Sequence, residues 1–446
     1  MLIALTGIAL LQVFLSYVKF HKIFNPVSAI LMWYFILIWI SRLGILDLYI
    51  PSVDSSSLIM ANVVVLSFVV LFATKGGVPQ ISIEARENGK QSDLLLLERS
   101  SWLHQLRKIC EILCLVTVVA VDLNIVVKLL TGAMTASQIR YALIFQEASS
   151  SFNPNFLYFN LFVRDFLTYF VRFFVLFDLL IEICNLGMYN KQLKLFPLLN
   201  FGLFCIAMMT RIDILKAALL FVIVLLFVKE KGKRKKLSRK NKRIILVAFL
   251  FALVVIIMRV YEGDNIIDFT VKNALGSLIG PFEAFSIYFE RYKVEGPLVD
   301  FATIRIFFGG ITAIVEAFLI NIARLDMSGV VKTVNSTLDE IVFVGPGQTF
   351  NAFYTMYYDF LASGGILGTF LGTIICGIFL SYSYNRFKGH PCVSSCLLFV
   401  LWEYIIIFGV IQWRGGLTEW VCIVCVWLGN KIVLSKSKYK EVVTDV

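Results

Sequence analysis

Read from the N-terminus, the chain alternates long apolar runs with short polar breaks. Most of the runs have the length that crosses a membrane as a helix, since a hydrocarbon core of roughly 30 Å needs about 20 residues at helical rise. The pattern predicts spans at roughly 2–18, 26–46, 57–74, 109–130, 156–183, 195–210, 213–228, 244–258, 360–382, 393–411 and 417–434, eleven in all. Within the runs apolar and polar positions do not alternate, as they would along the strands of a membrane barrel. The expected fold is therefore an all-α polytopic integral membrane protein. No small-residue cleavage site follows the first run, which is expected to stay in place as a helix.

The polar breaks carry the orientation. Lys229–Arg243 holds ten basic residues and one acid, and such a cluster stays on the cytoplasmic side. Alternation from it puts 19–25, 75–108, 184–194, 383–392 and the tail with Lys436, Lys438 and Lys440 inside as well. The loops left outside are poor in positive charge, with Arg140, Arg211 and Arg414 thinly spread among them. This predicts an outer N-terminus and a cytoplasmic C-terminus.

One outer loop differs from the rest in length. The residues 259–358 have no place in the span pattern, and they hold seven Lys and Arg against eleven Asp and Glu. A loop of that size folds or functions. Three segments are expected, 1–258 with eight spans, 259–358 as a folded outer cap, and 359–446 with the last three spans. Inside the cap Phe282, Phe285, Phe289 and Tyr292 recur at spacings of three and four. That is one stripe of a helix lying in the interface, its aromatic side toward lipid or toward the bundle. The stretch 301–324 carries Arg305, a Gly309–Gly310 break and Glu316, and is expected to be re-entrant or surface-lying, with a pair of extra spans formed together with 266–289 as the alternative.

Ionisable residues inside apolar runs are costly and mark cavities, partners or function. The fifth run carries Arg164, Asp165, Arg172, Asp178 and Glu182. Asp165 and Arg172 lie seven apart on one helical face, which predicts an internal ion pair as one reading of Arg172 and substrate contact as another. Arg164 lies near the outer end, where an arginine also snorkels to the surface. Arg211 sits on the tight turn between the sixth and seventh runs, with Asp213 and Lys216 nearby. A guanidinium fixed there suits a phosphate or pyrophosphate, whose oxygens match its fork of donors. Anchoring to lipid phosphate is the alternative.

Composition agrees with the pattern. Of 446 residues 59% are hydrophobic and 16% charged, and mean hydropathy is +0.83, whereas a soluble globule carries about a quarter charged residues. The net charge of +11 reads as topology and attraction to anionic lipid; no aromatic or folded reader accompanies it, so no nucleic-acid partner is expected. Cysteine pairs such as Cys110/Cys114 fall in or beside apolar runs and read as packing. No metal site and no cofactor are expected. The three histidines fall on cytoplasmic segments, so a base on the outer side would be a carboxylate, with Asp359, Glu283, Glu316, Asp264 and Glu262 as candidates.

Two stretches carry a resemblance. Gly276, Gly280, Pro281, Ala284 and Phe285 match a Gly-x-x-x-Gly-Pro pattern leading into aromatic residues. Asn351, Thr355, Tyr357, Asp359 and Phe360 match an Asn, a Thr and then Tyr-x-Asp-Phe before glycines. Together with the eleven runs and the large outer loop, they resemble the Wzy-type oligosaccharide repeat-unit polymerases, over about a third of the chain. Leu361 stands where that pattern has glycine, and the arginine often found upstream of the tyrosines is missing.

The resemblance implies a glycosyltransferase at the outer face of the bacterial inner membrane, joining undecaprenyl-diphosphate-linked oligosaccharides into O-antigen or capsular polysaccharide. A flippase and a chain-length regulator of the same pathway are the implied protein partners. An acceptor hydroxyl would displace undecaprenyl diphosphate, which leaves readily when arginines neutralise it, without a metal. Asp359 and Glu283 are then the candidate bases. Arg211, Arg164, Arg172, Arg291, Arg305, Arg414, Tyr358 and Asn351 are candidates for pyrophosphate or glycan contact. For Asp359 a helix-capping role stays open beside the catalytic one. An O-antigen ligase is disfavoured because no histidine falls on an outer loop. A flippase or transporter is disfavoured because the chain shows no internal repeat.

Overall fold

The computed structural model describes residues 1–76, 101–135, 138–139, 163, 166–189, 193–208, 211–228, 266–309, 311–312, 333–334, 342–346, 348–350, 354–413 and 423–424. The protein is mostly helical. It divides into two units, one of Met1–Gln80, Val271–Pro391 and Leu398–Trp427, the other of Ile81–Thr270, Cys392–Leu397 and Leu428–Val446. The boundaries cut across the three sequential segments expected.

The first unit begins with α1 (Leu2–Phe20), α2 (Pro26–Ser41) and α3 (Val53–Ala73). Local chemistry sets their starts. Asn25 accepts from the Ser28 N–H at 3.0 Å, the Ser28 hydroxyl accepts from the Asn25 N–H at 3.0 Å, and Pro26 fills the first helical position. That is a reciprocal cap in which two otherwise orphaned donors are satisfied. Ser52 caps α3 in the simpler way, accepting from Ser55 N–H at 3.1 Å.

The second unit holds α4 (Ser101–Leu130), a π-helical turn (Phe166–Val171) running into α5 (Arg172–Tyr189), α6 (Leu195–Ala207) and α7 (Arg211–Phe227). The first unit resumes with α8 (Ile266–Glu295) and α9 (Thr303–Phe307). A short antiparallel hairpin follows, β1 (Val342–Gly345) and β2 (Gln348–Phe350), with Val342 opposite Phe350 and a bulge between Phe343 and Gly345. Then come α10 (Met356–Ala362), α11 (Gly365–Gly389) and α12 (Val393–Phe408).

Eleven spans are more than the described residues contain. Four helices are long and apolar enough to cross a membrane, at Leu2–Phe20, Val53–Ala73, Gln105–Leu130 and Gly365–Gly389. The helices Pro26–Ser41, Leu195–Ala207 and Val393–Phe408 are apolar but shorter. At 1.5 Å per residue they reach about 20–24 Å, short of a roughly 30 Å core. The runs predicted at 244–258 and 417–434 lie outside the described residues, apart from Ile423 and Val424.

Helix α11 packs along α3 in the first unit. Asn62, buried, donates to Thr369 Oγ1 at 3.1 Å and accepts from Thr373 Oγ1 at 3.0 Å. Side-chain hydrogen bonds of this kind hold helices together where the hydrophobic effect gives no preference between helix and lipid. An aromatic cluster closes the other side, with Phe307 within 5.1–6.3 Å of the rings of Trp413, Phe379, Trp402 and Phe360.

Candidate functional site

Asp359 does not cap the long helix that follows it. The apolar run predicted to begin at 360 breaks at Ser363–Gly364, and Asp359 belongs to the separate seven-residue helix α10. Every residue of that helix is buried, Asp359 included. The cause is close backbone approach. Met356 N–H donates to Gly409 O at 2.6 Å, while Ala362 O and Ser363 O accept from Val299 N–H at 3.0 Å and Ala302 N–H at 2.7 Å.

The glycines behind α10 make this approach possible, and what they admit is the chain itself. A methyl group at Gly364 would lie 2.1 Å from Thr303 Oγ1. One at Gly368 would lie 2.5 Å from the same oxygen and 2.6 Å from Phe360 O. Gly365 has φ +63°, a backbone conformation that costs residues with a Cβ, and the Tyr292 hydroxyl fills the space beside it.

The tyrosines are not an interfacial fringe. Tyr357 and Tyr358 are wholly buried and Tyr354 nearly so. Tyr358 donates to Val334 O at 2.8 Å, and its ring lies between Tyr354 and Tyr288, each with its centroid 4.6 Å away. In this arrangement Tyr358 offers no open face to a sugar and instead shapes the wall around Asp359.

The Tyr288 ring comes from α8, the helix expected to lie in the interface with one aromatic stripe. The stripe is there, since Phe285, Phe289 and Tyr292 stack in sequence at 6.2 Å spacings. Burial, however, runs around the whole helix from Ile279 to Phe289, interrupted only by half-buried Ile287, and takes in Glu283 and Ser286. The amphipathic reading is corrected accordingly. Near its C-terminal end α8 becomes exposed, at Glu290, Arg291 and Lys293, and Lys293 binds Asp54 and Glu290 at 3.0 Å.

Glu283 and Asp359 do not form a pair. Glu283 and Tyr288 are five residues apart, hence about 140° apart around α8. Tyr288 and Tyr292 face α10 and α11, whereas Glu283 shares its side with Ser286, whose hydroxyl accepts from Ser52 N–H at 2.8 Å. Among the described residues Glu283 Oε2 has no hydrogen-bond partner. Helix α8 is not among the four helices that are both long and apolar enough to cross a membrane, and burial pushes the Glu283 carboxyl up to about 7. Either carboxylate suits one-base chemistry.

The remaining candidates divide. Arg291 is exposed and Arg305 half-buried on α9, both in the first unit. Arg211 opens α7. Arg164, Arg414 and Asn351 lie outside the described residues, as do Asp165, Glu316, Asp264 and Glu262.

In the second unit Arg172 follows the π-helical turn, a feature often found at functional places, and it binds Asp213 of α7, while the Asp165 expected as its partner lies outside the described residues. Arg172 Nη2 donates to both Asp213 oxygens at 3.0 Å, and Lys216 Nζ stands 3.4 Å from Asp213 Oδ1. Two cations thus share one buried carboxylate.

Sequence reasoning passed over three residues. Arg107 of α4 gathers Asp178, Glu182 and Glu111, with contacts of 2.7 Å, 2.9 Å and 3.1 Å. Its place on the polar flank of an apolar run disguised it. Glu403 is fully buried in α12, and Asp122 lies in α4, with both carboxylate oxygens of each unpartnered among the described residues. An acid in an apolar run was the available signal for both.

Among the described residues no three His, Cys, Asp or Glu side chains gather as a metal site. No family model, no curated protein and no solved structure matches this chain.

Proposed function

We propose that the chain is an oligosaccharide repeat-unit polymerase of the bacterial inner membrane. It joins undecaprenyl-diphosphate-linked oligosaccharides at the outer face, with the N-terminus outside and the C-terminus in the cytoplasm. One observation carries the reading. The two stretches that resemble the Wzy-type enzymes are some sixty residues apart in sequence, yet the helix that carries the first is packed on the second just past the matched residues, through Tyr288 on Tyr358 and through Ile366 N–H on Tyr292 Oη at 3.3 Å.

In this reading the acceptor hydroxyl attacks the anomeric carbon of the growing chain, its proton passes to one carboxylate, and the bond to undecaprenyl diphosphate breaks. Asp359 and Glu283 are the two candidates for the base. Direct attack with one carboxylate base inverts the anomeric centre, whereas retention needs a carboxylate nucleophile beside it. Arginines stabilise the departing diphosphate by charge-assisted hydrogen bonds worth about 1.5–3 kcal/mol each. Arg291, Arg305 and Arg414 are the proposed sources in the unit that holds both carboxylates, with Asn351 on the glycan side, while Arg164, Arg172 and Arg211 belong to the other unit. No cofactor or metal is assigned.

The test is a reconstitution. Purified protein supplied with lipid-linked repeat units and no nucleotide should yield a ladder of longer lipid-linked chains. An unchanged substrate band from folded protein overturns the proposal.

A further inference from the structure

The turn that leads from α8 into α9 presents an exposed apolar edge. Phe301 is 96% exposed and adopts φ +53°, a left-handed backbone that bulky side chains rarely enter. Two residues on, α9 begins, and Ile304 on its first turn is 55% exposed. A strained backbone that holds an aromatic ring away from all protein contact is unfavourable twice over in water.

The position of this edge identifies what covers it. Val299 and Ala302 donate to Ala362 O and Ser363 O, and Thr303 packs on Gly364 and Gly368, so the turn is fixed beside the first turn of α11. There Ile366 and Leu367 are exposed, the latter 79%, and the exposed apolar stripe continues down α11 through Leu371, Ile374 and Ile378. Helix α11 is one of the four membrane-length helices, and a continuous apolar stripe on such a helix faces acyl chains. The turn extends that face past the helix end.

We propose that Phe301 and Ile304 form a keel embedded in the lipid leaflet at the N-terminal end of α11, with acyl chains as its partner. Aromatic and aliphatic side chains of interfacial elements sit about 5–10 Å into the boundary between headgroups and acyl chains. The keel ties α8, α9 and α10 to the bilayer surface independently of the transmembrane helices. It does not depend on the polymerase reading, because any protein with this turn would bind lipid in the same way.

The test uses the full-length protein in phosphatidylcholine proteoliposomes, with a fluorescent amino acid placed at Phe301 by suppression and, as the control, at exposed Glu295. Lipid carrying a nitroxide high on its acyl chain should quench the probe at 301 at least twofold more than the probe at 295. Iodide on both sides of the membrane should give the reverse order. Iodide quenching at 301 equal to that at 295 would place the turn in water and overturn the keel. Protection of 301 from both quenchers would overturn it as well, since protein would then cover the ring.

Discussion

The ring of Tyr288 meets the ring of Tyr358 edge-on, centroids 4.6 Å apart and planes at 74°, and Tyr358 in turn donates to Val334 O at 2.8 Å. Edge-to-face pairs of this kind contribute about 0.5–1.5 kcal/mol beyond the area they bury. Tyr358→Phe keeps the ring contact and removes this one hydrogen bond, so it should cost about 0.5–1.5 kcal/mol. Tyr358→Ala also empties a fully buried site and should cost about 3–5 kcal/mol. Unfolding in detergent followed by tryptophan fluorescence checks the order, and equal losses for the two variants would mean that the ring packing is not what holds α10 to α8.

Gly364 and Thr303 form a contact that permits no methyl group. Gly364→Ala drives a Cβ to 2.1 Å from Thr303 Oγ1 and should destabilise by about 1–3 kcal/mol, the usual range for overpacking. Removing the hydroxyl relieves part of this, so the double variant Gly364→Ala/Thr303→Ala should lose less than the sum of the singles. Additive losses would indicate that the two positions do not touch.

Asp213 should matter more than Arg172. With Arg172→Ala the carboxylate of Asp213 keeps Lys216 at 3.4 Å, whereas Asp213→Ala removes the contacts to Arg172 and to buried Lys216 together. Removing one partner of a buried ion pair costs about 3–5 kcal/mol. Thermal stability of the two variants, measured in the same detergent, gives the comparison, and the opposite ranking would contradict the buried-cluster reading.

Glu283 and Asp359 give a pH prediction and a choice. Burial raises the Glu283 carboxyl from its ordinary 4.5 to about 7. Between those values the folded protein binds the extra proton, so wild-type stability falls as pH rises from about 4.5 through 7 and levels off above. Glu283→Gln should remove that slope and be the more stable protein at pH 8. If one carboxylate is the base, only one of Asp359→Asn and Glu283→Gln will lower chain growth by the 10²–10⁴-fold that general-base catalysis supplies. If Glu283 is that base, activity must rise with pH toward about 7.

Much of the helical order is visible in the sequence because apolar runs of membrane length admit few alternatives. Helices α1, α3 and α11 lie where the runs lie. The break between α10 and α11 has a local cause in Gly364 and Gly365, yet nothing local tells that the residue admitted is Thr303, sixty positions earlier. Arg172 shows the same limit, because helical periodicity points to Asp165, seven residues away, while its described partner is Asp213 on another helix. The aromatic stripe of α8 suggests a helix with one buried side. Tertiary packing buries it nearly all round, since Ala284, Ser286 and Glu283 are covered too.

The most direct measurement of the central claim is a count of products. Purified wild-type protein in proteoliposomes, given fluorescent lipid-linked repeat units and no nucleotide, should release one undecaprenyl diphosphate for each glycosidic linkage formed, in a ladder whose steps equal one repeat unit. Linkage formation without diphosphate-lipid release, or movement of intact lipid-linked units across the bilayer with no new linkage, would contradict the account.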